Sequence, residues 1–206
     1  MTTGNTGKTA LLLIGFQNDY FDPTGILHGV VEESHRVSGT LENTIQLIDS
    51  FKDGDMVMVS TPIVFSEFYE EIENPIGILK TIRDVQAFKV GTMGAETIPQ
   101  IRAYGDRILE LPGKKSFNAF SNTSLHSTLQ DNGVTRVIFA GCVTSICVHA
   151  SALQAFDLGY EVTMLSDCTS ARTPIEQEFF CSDVFPLFAH VLTLEELLQD
   201  ELAGSS

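Results

Sequence analysis

The chain has 206 residues, room for one domain and too few for two ordinary enzyme domains. Hydrophobic residues make up 43% and charged residues 19%, enough apolar side chain for a core and a mix that argues against global disorder. Asp and Glu number 27 against 12 Lys and Arg, a net charge of −15 that repels phosphate backbones and anionic bilayers, so neither nucleic acid nor a membrane is an expected partner.

Residues 10–16 (ALLLIGF) form a continuous apolar run, as expected of a strand covered on both faces. Residues 35–52 read as one helix, with Leu41, Ile45 and Ile48 at helical spacing. A second strand is predicted at 56–61 (MVMVST), ended by Pro62, and a third at 107–111 (RILEL), stopped by Pro112 and Gly113. Residues 122–131 read as a helix with Gly133 beyond it, 136–141 (RVIFAG) as a strand, 145–158 as a helix stopped by Gly159, and 160–165 as a strand. Thr173, Pro174 and Glu176 offer a cap, a first-turn proline and a capping-box glutamate. Thr193 and Glu196 repeat the box and open a last helix after a short strand at 190–192. A single domain is expected over 8–198, with 1–7 and 199–206 as loose ends. Alternating strands and helices imply an α/β fold of three layers, α/β/α, around a mainly parallel sheet. The site is then sought just past the strands, at 15–19, 62–65, 113–115 and 141–147.

No apolar run approaches the ~20 residues that cross a bilayer. The opening MTTGNTGKT also lacks a signal-peptide pattern, so the cytoplasm is the expected compartment. Four cysteines, Cys142, Cys147, Cys168 and Cys181, make neither a CxxC pair nor a zinc spacing and are expected as free thiols. Cys147 stands at the start of a predicted helix, whose free N–H groups favour thiolate and can receive an oxyanion; the plainer reading is a buried structural cysteine. Lys114 and Lys115 follow a strand, where an amine can stabilise thiolate or relay a proton; the plainer reading is a solvated pair. Gly7, Lys8 and Thr9 imitate the end of a P-loop without its earlier glycine, and there is no GxSxG or HExxH. His28, His35, His126, His149 and His190 are scattered.

Four segments in order resemble the isochorismatase-like superfamily of cysteine hydrolases, across about residues 8–198. They are ALLLIGFQNDYF (10–21), similar to ALLVIDMQNDF; KVGTMGAETIPQI (89–101), similar to a GTWGAE segment; KKSFNAFSNTSL (114–125), similar to KxxxSAFxxTxL; and GCVTSICVHASALQAFDLGYEVTMLSDCTSA (141–171), similar to G(V/I)ATxxCVxxTAxDAxxxGY. The resemblance implies a six-stranded parallel sheet and an Asp, Lys, Cys set that hydrolyses a C–N bond of a small amide or ureide through a thioacyl intermediate. The nucleophile falls on Cys147 and the lysine on Lys114, with Lys115 as runner-up. A cis peptide is implied between Cys142 and Val143, and the oxyanion donors are the amides of Val143 and Cys147. Phe16, Phe21, Phe65, Asn118, Phe120 and Thr144 are expected to bind substrate, with Phe117 a further candidate. No cofactor is expected, and a homodimer or homotetramer is.

Two departures stand out. The family aspartate falls on Gly15, which can neither take a proton nor orient the lysine, so activity is expected to be impaired. Asp19 lies four residues on, roughly 13 Å along an extended strand, and does not replace it. Where nicotinamidases carry Asp-x-His for a metal, this chain has TPIVFSEFYEE, without histidine, so no metal is expected. The alternative is a catalytically inactive binding or effector protein on the same fold.

Overall fold

The computed structural model describes residues 7–204. Its central strand is β1 (Lys8–Ile14), in which Ala10 to Ile14 are wholly buried. Side-chain alternation along a strand divides that run between two cores. Leu11 and Leu13 pack on one face with Met58, Ile138 and Leu165, while Ala10, Leu12 and Ile14 pack on the other with Val59, Val137 and Phe139. β1 pairs in parallel with β2 (Val57–Thr61) on one side and β4 (Val134–Cys142) on the other. β3 (Leu109–Glu110) extends the sheet beyond β2, and β5 (Glu161–Ser170) and β6 (His190–Leu192) extend it beyond β4. The result is a six-stranded, fully parallel sheet of order β3-β2-β1-β4-β5-β6, flanked by helices. The chain leaves β1 in one direction and returns past it to build β4 on the other side. The carboxyl ends of β1 and β4 therefore form a switch point, where a crevice opens.

The helices are α1 (Asn18–Phe21), α2 (His28–Ser38), α3 (Thr40–Phe51), α4 (Gly77–Val85), α5 (Pro99–Arg102), α6 (Leu125–Asp131), α7 (His149–Asp157), α8 (Pro174–Phe179) and α9 (Leu194–Gly204). Several differ from the sequence expectation. The single helix at 35–52 is two, α2 and α3, separated by a left-handed Gly39 whose amide closes α2 on the His35 carbonyl. The strand at 107–111 shrinks to two exposed edge residues, because Arg107 is spent on the carbonyls of Phe51 and Met56. β5 runs on to Ser170, where Thr169 and Ser170 pair with Gly141 and Cys142. α4 has no counterpart in the sequence reading. Of the expected loose ends, 1–6 and 205–206 lie outside the described residues, while α9 continues to Gly204. The expected capping box forms in full at Thr193, where Thr193 and Glu196 bond each other's amides; at Thr173 the cap forms, with Thr173 accepting from the Glu176 amide, but the Glu176 carboxylate accepts the amide of Arg172 instead. Among the described residues, no helix is long and apolar enough to cross a membrane.

Candidate active site

Gly15 ends β1 in a left-handed bend, φ +72°. Cys142 ends β4 beside it and donates its thiol to the Gly15 carbonyl at 3.5 Å. The peptide between Cys142 and Val143 is cis, as the resemblance implies. The chain then enters a π turn, Thr144–Val148, in place of the α-helical start expected at 145. The Val143 carbonyl accepts the amides of Ile146 (3.0 Å) and Val148 (3.2 Å), leaving out that of Cys147 between them.

Lys114 arrives from the loop after β3. Its backbone is tied to the loop after β2, with the Val64 amide donating to the Lys114 carbonyl, and its side chain turns inward. Lys114 is 2% exposed and Cys147 8%, and Nζ of the first lies 3.5 Å from Sγ of the second. Lys115 points the other way. It bonds the Val64 carbonyl and pairs with Glu71 at 2.9 Å. Of the two adjacent lysines, only Lys114 faces the nucleophile candidate.

These groups share a closed cavity lined by Gly15, Tyr20, Lys114, Cys142 and Cys147, roofed by the apolar side chains of Ile63, Ile78, Ile82, Phe88, Phe117 and Ile146. Its free space is about 10 Å³, scarcely one water molecule. A substrate therefore enters only if part of the roof moves. Among the described residues, no carboxylate lines this cavity. Asp19 is buried and occupied elsewhere, with Oδ2 accepting the Phe88 amide at 2.6 Å.

The surroundings of Cys142, Cys168 and Cys181 disfavour their thiolates. Burial, with Cys147 adding, pushes Cys142 well up, against the pull of Lys114. Burial raises Cys168 strongly, with Asp167 adding to it, and takes Cys181 up to about 11. The loop salt bridge behaves in the opposite sense. Burial disfavours the Glu71 carboxylate, yet hydrogen bonds from Ser66 and Lys115 outweigh it and bring its pKa down to about 2.

The structure thus brings together Cys147, Lys114 and Gly15. The six residues expected to bind substrate lie outside the cavity lining. Phe16 stacks on Phe21 in one core, ring centroids 5.0 Å apart, and Phe65 packs on Tyr69. Phe120 lies against Tyr160 in the other core. Asn118 bonds Gln154 and the Phe120 amide, and Thr144 donates to Gln177 at 2.7 Å. Apolarity made the phenylalanines candidates, but strand-end phenylalanines here serve the core. Phe117 does line the cavity. Ile63, Ile78, Ile82 and Phe88 come from α4 and loops outside the four segments, while Tyr20 and Ile146 lie inside two of them but carry no reactive group that the spacing marked. Among the described residues, no three His, Cys, Asp or Glu side chains converge so as to hold a metal ion, so the donor set does not fit one.

The Isochorismatase domain family matches residues 9–196. The chain belongs to the isochorismatase family. Among its relatives is a probable inactive nicotinamidase of Arabidopsis thaliana, 28% identical over 168 residues, covering 81% of this chain and 83% of that protein. A maleamate amidohydrolase of Pseudomonas putida is 28% identical over 204 residues, covering 96% and 89%. The fold is shared with the crystal structure of an isochorismatase-like hydrolase from Alkaliphilus metalliredigens, TM-score 0.76 at 22% identity, covering 94% of this chain and 99% of the other. Membership of this hydrolase family agrees with a six-stranded parallel sheet between helices.

Proposed function

We propose that this chain is a cysteine hydrolase acting on the C–N bond of a small amide or ureide, with Cys147 as nucleophile and Lys114 as the sole proton carrier. The observation that carries this reading is the buried 3.5 Å contact between Nζ of Lys114 and Sγ of Cys147, at the carboxyl ends of the central strands. The proton count closes without a carboxylate. The Lys114 amine takes the thiol proton, leaving thiolate and ammonium. The thiolate adds to the carbonyl carbon, and the oxygen takes up the carbonyl's π electrons, facing the amides of Val143 and Cys147. Collapse expels the nitrogen, which leaves with the proton from Lys114. Water then attacks the thioester and gives its proton to the Lys114 amine, which returns it to the departing sulfur.

A catalytically inactive binding or effector protein is the second reading, favoured by Gly15 and the closed cavity. One experiment separates them. Release of ammonia is measured from a panel of small amides and ureides, including nicotinamide, maleamate and ureidoacrylate, for the parent, Cys147→Ala and Lys114→Met. The hydrolase reading expects parent turnover that falls on the order of 10³-fold or more in both variants. Parent turnover no greater than that of Cys147→Ala on every compound supports the inactive reading instead.

A further inference from the structure

Tyr20 is 3% exposed and lines the same cavity as Cys147, Lys114, Cys142 and Gly15. Its place is over-determined. The α1 cap residue Gln17 bonds the Ile63 amide and the carbonyls of Ile63 and Ala95, pinning the start of the helix. The Tyr20 carbonyl meets Nδ1 of His28 at 3.0 Å, and its ring leans on Phe88 with centroids 5.0 Å apart. The other three tyrosines spend their hydroxyls within the protein, Tyr69 on the Ala87 carbonyl, Tyr104 on Asp49 and Tyr160 on His126. Among the described residues, the Tyr20 hydroxyl has no such partner. A fixed hydroxyl that lines a nucleophile's cavity and is spent on no protein group is free to act there. The cavity has no side chain at 15 and carries a hydroxyl at 20.

We propose that Tyr20 is a positioning residue of this site, presenting a neutral O–H to the sulfur of Cys147 and favouring its thiolate together with Lys114. The inference rests on the hydrolase reading above. The phenol suits that task because it stays protonated: burial first, then the thiols of Cys147 and Cys142 and the carboxylate of Asp19, push its ionisation well above the ordinary range. The charged or titratable groups lining the cavity around Cys147 are Lys114 after β3, Cys142 at the end of β4 and Tyr20 on α1; α4 and the flanking loops offer only apolar side chains there. A neutral donor lowers the energy of a thiolate without adding the negative charge that a carboxylate brings.

The test needs no substrate. Rates of Cys147 alkylation by iodoacetamide are followed by peptide mass spectrometry from pH 5 to 10 for the parent, Tyr20→Phe and Tyr69→Phe. Tyr20→Phe removes one oxygen and keeps the ring. The midpoint of its Cys147 profile is expected about one pH unit above that of the parent, with a rate near neutral pH down by up to about tenfold. Tyr69→Phe, which loses a buried hydroxyl outside the cavity, keeps the parent midpoint. A parent-like midpoint in Tyr20→Phe overturns the inference while leaving Cys147 activation standing. A parent whose Cys147 is alkylated no faster than Cys168 or Cys181 at any pH overturns the hydrolase reading, and this inference with it.

Discussion

At position 15 the missing carboxylate is more than a missing side chain. With φ at +72°, a Cβ there would lie 2.5 Å from the Cys142 carbonyl oxygen and 3.1 Å from its sulfur. The thiol of Cys142 thus fills the space beside Gly15 that a side chain would enter. A left-handed non-glycine residue costs roughly 1–2 kcal/mol before any collision is counted. Gly15→Asp is therefore expected to lower Tm by roughly 2–8 °C, at about 2–4 °C per kcal/mol for a chain this long. A Tm equal to the parent's, read by calorimetry, would mean that the bend relaxes to extended backbone at no cost. The sequence suggests that aspartate at 15 restores the family's chemistry. The backbone says that the carboxylate arrives only with a rearranged bend.

At the scale of elements, α4 supplies two residues of the cavity's apolar lining. Ile78 and Ile82 stand one turn apart on its inner face and roof the cavity, with Ile82 alone fully buried. α4 is held between a left-handed Gly77 and a left-handed Gln86, so it forms a short separate piece of roof. Short elements with few buried side chains open at low cost. Ile78→Ala trims the roof from a half-buried position. If that lowers the cost of opening by ~1 kcal/mol, alkylation of Cys147 speeds about fivefold. Cys168, buried on β5 and outside the cavity lining, serves as the internal control and keeps its rate. An unchanged Cys147 rate would assign entry to another part of the roof. α4 was illegible in the sequence because nine residues with one buried side chain leave too little apolar periodicity, and its inward face is defined only by what lies beneath. The cap at Thr173 and the capping box at Thr193 were legible because every atom involved lies within four residues.

For the whole molecule, the net charge of −15 makes acid stability depend on the few carboxylates that hold distant segments together. Glu71 is one. Through Ser66 and Lys115 it ties the loop after β2 to the loop after β3, the loop that carries Lys114. Its folded pKa of about 2 lies below the ordinary 4.5. A lowered folded pKa means that its stabilisation is complete above about 4.5 and is lost as pH falls toward 2. The stability gap between the parent and Glu71→Gln, from urea midpoints, is expected to close across that window. A gap that stays constant from pH 5 to 2 would show that the carboxylate's charge is not what holds the loops.

By itself the sequence determined the alternation of strands and helices, because each apolar run and each cap is encoded within a few neighbouring residues. It also set Cys147 and Lys114 just past strands, and it removed the carboxylate at 15. Only the tertiary structure decided which strands are neighbours, and so that residues 33 apart in the chain meet at 3.5 Å. It turned Lys114 inward and Lys115 outward, a choice that depends on which side of the strand end the cavity lies. It also gathered Tyr20, Ile82 and Phe88 around one cavity with Cys147 and sent Phe16, Phe65 and Phe120 into the cores. The physical reason is the same in each case. Burial against a distant partner is a property of the sheet order, and no local pattern of residues carries it.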